Sequence, residues 1–544
     1  MGAGLQTTVT GPTYDPDAQL FFDAQTGAGV TLTTTQKDAV NQWVVDSKAA
    51  GIWTKFKAIY PIVGGTATSH KFNLKNPVDT NAAFRLSFVG GGTHSSNGYK
   101  PNGTNAFADT FLLPITTLSL NNTHVSFYSR TNDISGTYFD MGTNVNSSSV
   151  TNSIYICPFF SNSYYGVVNS NVQSLVSNTN TTGLYLLSRT SVTVQKLVKN
   201  TTISSFNANS QGLSNFSINI GRWNNPGPPL GAQYYSPREC AFSTIGDGLT
   251  DLESQLFYQI TEKYQVALGR NINTTQSFYY NSAYNNETNA FLFSTQITDN
   301  TIQTATNTLV SDLKTANIFT KMKAIYPMVG GTATTHKFNL VNAQDTNAAF
   351  RLSFVGGWTH SANGAKPNGT NAYANTFLWH SAYLQRDNIS LSNYIRTITL
   401  GGIIMGAFGV TAGANAFSFV FTASTTTADS GGQANATNYN PALFTDTLKK
   451  GYYFVSRILN TEFKYYQNGL IKSTKLNNSS AYTDNINGSI YIGALNNFAG
   501  SGGPSNYSSS ECAFATIGEG LTNAEALVLY NLVQTFQTTL GRQV

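Results

Sequence analysis

The chain has 544 residues, a net charge of +5 from 31 basic and 26 acidic side chains, and only 10% Asp, Glu, Lys and Arg, against about 25% in an ordinary soluble protein. An apolar share of 40% excludes a disordered chain of low hydrophobicity and high charge, and the scarcity of Glu, Lys and Arg excludes a long coiled coil. The sequence shows neither a Lys/Arg cluster that would follow a phosphate backbone nor an apolar run of about 18 residues, so no nucleic acid and no membrane insertion are expected.

Residues 1–13, MGAGLQTTVTGPT, form a Gly/Thr-rich arm. It has neither the basic start nor the apolar core of a secretory signal, and it is expected to be ordered only by a partner. The chain then contains itself twice. Residues 57–88, KAIYPIVGGTATSHKFNLKNPVDTNAAFRLSF, return as 323–354, KAIYPMVGGTATTHKFNLVNAQDTNAAFRLSF, and ECAFSTIGDGLTDLE at 239–253 returns as ECAFATIGEGLTNAE at 511–525. The register slips by only a few residues over a whole copy, so each copy is one domain. The expected boundaries are 14–270 for the first domain, 271–286 for a Tyr/Asn-rich linker and 287–544 for the second domain.

Each copy has the same internal order. A helix comes first, capped by Thr33, Thr34 or Thr35 and carrying Val40, Trp43, Val44 and Ser47 at helical spacing; Ile302, Ala305, Leu309 and Leu313 repeat that face. The segment TSHKFNL, with His70, and the segment AAFRLSF, with Phe84, Leu86 and Phe88 on one side, read as strands. A turn-rich loop follows, THSSNGYKPNGTNAFADTF and then THSANGAKPNGTNAYANTF. Its Asn-Gly dipeptides tolerate positive φ. Short strands come next: HVSFYSR, GLYLLSR and VTVQKL in the first copy, GYYFVSR, FKYYQNG and GSIYIGA in the second. The glycine-laced stretch 398–410 also reads as packed strands. T-x-x-E capping boxes at Thr250/Glu253 and Thr522/Glu525 open a closing helix in each copy. Many short strands between two helices predict a mainly β chain of two tandem jelly-roll β-sandwiches, each framed by short helices.

Three cysteines, Cys157, Cys240 and Cys512, supply neither a disulfide framework nor a metal knuckle; Cys240 and Cys512, both in the string ECAF, read as small buried hydrophobes. Of six His, His70/His336 and His94/His360 are paired by the repeat, and no G-x-S-x-G elbow accompanies them. Asp79 and Asp345 recur in DTNAAF; calcium is the metal such side chains could hold, but a structural turn or cap is the expected role, so no cofactor is assigned. The candidate binding residues lie in the turn-rich loop. His94, Asn97, Lys100, Asn102 and Asn105 recur as His360, Asn363, Lys366, Asn368 and Asn371, and Trp358 stands where the first copy has Gly92. Sugars are held by amide and hydroxyl hydrogen bonds together with a stacked ring. The competing reading is that Asn, Gly and Pro merely build the turns.

The order FKYYQNGLIKSTKL, GSIYIGALNN, ECAFATIGEGLTNAEALVLYNLV resembles the C-terminal half of concanavalin A-like, laminin-G-type jelly rolls. The matching pieces are an x-Y-x-N-G strand at Tyr466–Gly469, an I-x-I-G-x-x-N strand at Ile490–Asn496 and an L-T-x-x-E-x-x-x-L-Y helix at Leu521–Tyr530. The first copy carries the weaker set VQKLVKN, INIGRWNN and LTDLESQLFY and lacks the hairpin Gly after Asn200. KAIYPxVGGTATxHKFNL and the terminal TFQTTLGRQV resemble structural proteins of tailed bacteriophages. That resemblance implies a tail, fibre or capsid-decorating component of the virion, assembled in the host cytoplasm. Its implied partners are other virion proteins, further copies of itself in a homo-oligomer, and host-surface glycans. The fold also hosts glycoside hydrolases, which need two carboxyl groups about 5–5.5 Å apart for retaining chemistry. No E-x-D-x-x-E strand is present, and the first copy has no Glu before Glu239. The expectation from sequence is therefore that the chain is not an enzyme, with a carbohydrate-active enzyme or secreted lectin as the alternative.

Overall fold

The computed structural model describes residues 13–144, 153–225, 234–397, 401–411, 414–421, 429–436, 441–446, 450–479, 488–497 and 502–544. Residues 1–12 of the arm and 398–400 of the glycine-laced stretch lie outside the described residues; Ile403–Thr411 is a strand. The chain divides into two units, Met1–Ser282 and Ala283–Val544. The segment expected as a linker is shared between them. Lys263 of the first unit donates to the carbonyl of Tyr280, while Asn286 opens a helix, Asn286–Thr295, of the second.

In the first unit one sheet runs, in spatial order, Thr202–Asn207, Val194–Lys199, Gly183–Arg189, Thr123–Ser129, Cys240–Gly246, Gly98–Lys100, Thr93–Ser95. Phe56–Tyr60 also pairs with Cys240–Gly246, so one strand edge is shared end to end. The opposing sheet runs Ser174–Ser177, Ser163–Ser170, Ser153–Phe160, Met141–Thr143, Asn219–Ile220, Phe107–Asp109, Ser87–Val89. The second unit repeats the first sheet strand for strand, from Trp358–Ser361 to Leu470–Leu476. Side-chain alternation builds the core. Ile154 and Ile156 of one strand, and Tyr164 and Val168 of its neighbour, join Val125, Phe127, Tyr185 and Leu187 between the sheets. The intervening Tyr155, Cys157 and Val167 form a separate cluster on the other face. The second unit buries Leu391, Ile395, Tyr453, Val455, Ile490 and Ile517 in the same way.

The framing helices follow their caps. Thr33 and Gln36 close a capping box on Thr34–Ala49, Asp299 caps Asn300–Thr315, and both T-x-x-E boxes form, on Asp251–Ala267 and Asn523–Thr539. Trp43 packs its ring against Phe56 and Phe242, 5.4 and 5.1 Å between centroids. That is why an apolar stripe on a polar helix is enough to dock it.

Two local expectations are corrected. His70 and His336 lie in short helices, Ala67–His70 and Ala333–His336, because Thr66 and Thr332 each close a capping box three residues on. The strand expected at AAFRLSF shrinks to Ser87–Val89. Asn81–Ala83 is a 3-10 turn that ends with Phe84 at φ 59°, and the Tyr60 hydroxyl holds it by donating to the Phe84 carbonyl at 2.7 Å. Tyr326 and Phe350 repeat this at 2.6 Å. The hairpin without its Gly forms all the same, since Asn200 itself adopts φ 54°.

A few of the charged side chains are buried and tie the fold together. Arg189 Nε donates to the Val168 carbonyl, and Arg457 Nε to that of Ala434, so each fully buried guanidinium staples one sheet to the other. Arg270 and Arg542, in the repeated Leu-Gly-Arg that follows each closing helix, are buried among carbonyls.

Candidate functional site

Thr93–Ser95 and Gly98–Lys100 form a hairpin in which Ser95 faces Gly98, and Trp358–Ser361 with Gly364–Pro367 repeats it. The Asn-Gly glycine is required by proximity. A Cβ on Gly98 would lie 2.4 Å from the Cys240 carbonyl oxygen, and one on Gly364 the same distance from that of Cys512. Ser95 Oγ accepts from the Asn97 amide at 3.1 Å, and Ser361 Oγ from that of Asn363 at 3.1 Å. Asn97, Lys100, Asn363 and Lys366 are exposed.

Asn102 and Asn368 do a different job. Asn102 Oδ1 accepts from the amides of Thr104, Asn105 and Ala106, each at 3.0 Å, and its Nδ2 donates to Asn105 Oδ1 at 2.7 Å. Asn368 and Asn371 repeat all four bonds. Side-chain capping of consecutive amides makes the turn rigid. Both Asn102 side-chain groups are engaged in it, which leaves Asn97 and Lys100, and their counterparts Asn363 and Lys366, as the hairpin groups free to meet a ligand.

His94 and His360 are tied underneath. His94 Nδ1 lies 2.9 Å from His70 Nδ1, and His360 Nδ1 lies 3.0 Å from His336 Nδ1. The Gly65 amide donates to His70 Nε2. The His70 proton therefore sits on Nδ1 and is donated to His94, whose own proton is on Nε2. Burial, then the neighbouring His94 and Arg270, lowers His70 to about 3. Burial, His360 and Arg542 do the same to His336, to about 3. Burial lowers His94 and His360 as well, so both pairs favour neutral imidazoles.

Trp358 is placed by packing. In the first copy His94 stacks on Tyr99, 4.9 Å between centroids, and a Cβ on Gly92 would lie 2.5 Å from that tyrosine ring. In the second copy Ala365 stands opposite His360, where Tyr99 stands opposite His94, and His360 instead stacks with Trp358 at 6.1 Å. One ring fills each space, contributed by a different strand: Gly92 with Tyr99, Trp358 with Ala365. The indole Nε1 donates to the Val355 carbonyl at 3.1 Å. We expect Trp358→Gly to lower the unfolding free energy of the second unit by about 2 kcal/mol, less than for a fully buried Trp. Adding Ala365→Tyr should recover most of it. Urea unfolding of the four members of the cycle measures the coupling, and strict additivity would refute the shared space.

Asp79 is engaged by Lys71 at 2.5 Å and Arg85 at 3.5 Å, and Asp345 by Lys337 and Arg351 at the same two distances. No group of three or more His, Cys, Asp or Glu placed to hold a metal ion exists among the described residues. One feature escaped the sequence reading: an aromatic cleft on the first unit, lined by Phe139, Tyr155, Phe160, Tyr165, Trp223 and Tyr234. Tyr155 and Tyr165, at outward-facing positions of Ser153–Phe160 and Ser163–Ser170, carry the only sequence signal for it.

No family model and no curated protein matches the chain. Solved structures do match, at low identity. Domain 4 of an extracellular arabinanase from Geobacillus stearothermophilus, in complex with arabinotriose, is 15% identical over 38% of this chain and 98% of that one, with a TM-score of 0.24. Trypanosoma rangeli sialidase in complex with sialic acid is 11% identical over 82% of this chain and 61% of that one, TM-score 0.30. Domains LG4-5 of the mouse laminin alpha1 chain are 10% identical over 74% and 83%, TM-score 0.19. The expectation that the chain is not an enzyme is corrected here. Glycosidase structures are among those that match. By its strand order and its core between facing antiparallel sheets, the chain is a tandem pair of concanavalin A-like jelly-roll β-sandwiches.

Proposed function

We propose that the chain is a structural component of a tailed-phage virion, in the tail, a fibre or the capsid surface. It assembles in the host cytoplasm as a homo-oligomer with other virion proteins and presents its hairpins to host-surface glycans. The observation that carries the reading is the duplicated hairpin: an Asn-capped, rigid turn with an exposed Asn and Lys, built twice with the same hydrogen bonds. Amide and ammonium groups held on a rigid frame lose little entropy when they meet sugar hydroxyls. The charge-poor surface supports assembly, since neutral polar faces pack without stripping water from ion pairs. The repeated KAIYP phrase and the terminal LGRQV support the virion assignment by resemblance.

Mass spectrometry of purified particles tests the location. The protein is expected as a stoichiometric component, and its absence from particles would end this reading. For the glycan half, we expect the quadruple variant Asn97→Ala, Lys100→Ala, Asn363→Ala, Lys366→Ala to lose at least about tenfold in affinity for host-surface polysaccharide, about 1.4 kcal/mol, with unchanged thermal unfolding. Unchanged affinity would remove the hairpins from the contact.

A further inference from the structure

We infer that the aromatic cleft of the first unit is a binding site for one hexopyranose ring of an uncharged glycan. The inference deepens the glycan reading above and rests on it for the ligand class, but it places recognition on the opposite sheet from the hairpins.

The cleft is built from outward-facing strand positions. Tyr155 alternates with the core residues Ile154 and Ile156, and Tyr165 with Tyr164. Trp223 pairs in parallel opposite Gly142, which lies across from Tyr155 in the ladder. Phe139 stacks on Trp223 with centroids 5.2 Å apart and planes 13° apart. Tyr155 meets both rings edge-on, at 4.9 and 5.6 Å. Tyr234 closes one side against Phe139 at 4.9 Å, and Phe160 packs on Tyr165 at 5.1 Å. Phe160 and Tyr234 remain 43% and 39% exposed. The half-open cleft offers about 220 Å³, space for one ring.

The lining decides the ligand. Among the described residues that line it there is no Asp, Glu, Lys or Arg, so none of them compensates the desolvation of a charged group, and sialic or uronic acids are disfavoured. A pyranose ring has an apolar C–H face that packs on aromatic rings and an equatorial rim of hydroxyls that need partners. The cleft has both: rings at its floor, and Thr137, Gln173 and the Tyr165 and Tyr234 phenols among its lining.

The repeat acts as an internal control. The second unit places Leu495 opposite Gly406, as the first places Trp223 opposite Gly142, and Phe419 faces Gly406 where Tyr155 faces Gly142. There the cluster is Ile403, Phe419, Leu495 and Phe408. The sandwich therefore folds without an indole or a phenol at these positions. The first unit's aromatic set exceeds what packing requires.

The test uses the full chain, titrated with neutral oligosaccharides of glucose, galactose and N-acetylglucosamine and with sialylated lactose, and read by saturation-transfer NMR and tryptophan fluorescence. At least one neutral sugar should bind. Trp223→Leu, which installs the second copy's residue, should weaken it at least about tenfold while thermal unfolding stays put. Gln173→Ala, at an exposed rim position, should weaken it as well and covers the case in which Trp223→Leu misfolds. The inference fails if no neutral sugar binds, if the sialylated sugar binds best, if a proline-rich peptide displaces the sugar and binds more tightly, or if both variants bind as the parent does. Binding lost only in the hairpin quadruple variant leaves the glycan reading standing and removes the cleft. Particles that contain the protein, but no sugar bound, leave the virion assignment standing alone.

Discussion

Replacing Arg542 by Leu should unfold the second unit at a temperature about 10 °C lower, a loss of about 3–5 kcal/mol in a unit of this size, and leave the first unit's transition where it was. All five guanidinium hydrogen bonds are made inside. Nε donates to Gln537 Oε1 at 2.6 Å; Nη1 donates to the carbonyls of Met328 and Ala362 at 2.7 and 3.3 Å; Nη2 donates to those of Pro327 and Ala513 at 2.6 and 3.0 Å. The side chain thus ties the end of the closing helix to the Tyr-Pro-x-Val segment, to the hairpin turn and to the strand Glu511–Gly518. Leu fills part of the volume but withdraws all five donors; the Ala513 carbonyl keeps only a long bond from Gln537 Nε2 at 3.4 Å, and the buried Pro327 and Met328 carbonyls lose the guanidinium. Lys has three donors and no planar fork, so Arg542→Lys should recover only part of the loss. Arg270 makes the equivalent five bonds, to Gln265 and to the carbonyls of Ile62, Ser96, Pro61 and Ala241. Arg270→Leu should therefore lower the first unit's transition instead. Calorimetry that resolves two transitions checks both; a single shared shift, or none, would show that the Leu-Gly-Arg ends do not staple their own units.

Glu262→Gln should stabilise the first unit by about 3 kcal/mol in mildly alkaline buffer and hardly at all in acid. Glu262 is buried on the closing helix and accepts from the Tyr128 hydroxyl at 2.9 Å. Burial raises its carboxyl from 4.5 to about 7, outweighing the Tyr128 hydrogen bond, which lowers it. A raised folded-state value means that the fold favours the protonated acid. Its contribution is intact below the unfolded value of 4.5, is lost as pH rises through the folded value near 7, and is a constant penalty above that. The second copy already carries the neutral isostere: Gln534 accepts from the Tyr394 hydroxyl at 3.1 Å. Urea unfolding on either side of this window reads the effect. A parent whose first unit is equally stable across it, or a Gln variant whose stability follows the same curve, would show that Glu262 does not titrate there.

Much of this fold is legible in one dimension because its signals are local. Capping boxes at Thr250 and Thr522 need only four residues, and a strand such as GLYLLSR declares itself by composition and length. The internal repeat needs only that the chain be compared with itself. Where local signals compete, the reading fails. His70 sits in a string that alternates like a strand, yet the Thr66 cap closes a helical turn over it. Phe84 belongs to an alternating run, yet takes φ 59° because Tyr60, from another strand, holds its carbonyl.

The hairpin candidates divide along the same line. Asn102 and Asn368 were visible as turn formers, but not the three amides that each one caps. That Trp358 replaces Gly92 is plain from the repeat. That it does so because Tyr99 becomes Ala365 depends on which residues face each other across the ladder.

The sequence by itself determined the duplication, the mainly β class, the closing helices and the neutral character of the surface, because each is written in composition or in residues a few positions apart. Only the tertiary structure decided what the rare charges do and where the aromatic rings gather. Arg542 meets carbonyls more than two hundred residues away, and Tyr155 and Trp223 from two strands converge with Phe139 from a connecting segment. Such meetings are set by sheet register and closure of the sandwich, and a linear pattern carries no record of which distant backbone atoms will be left needing a donor.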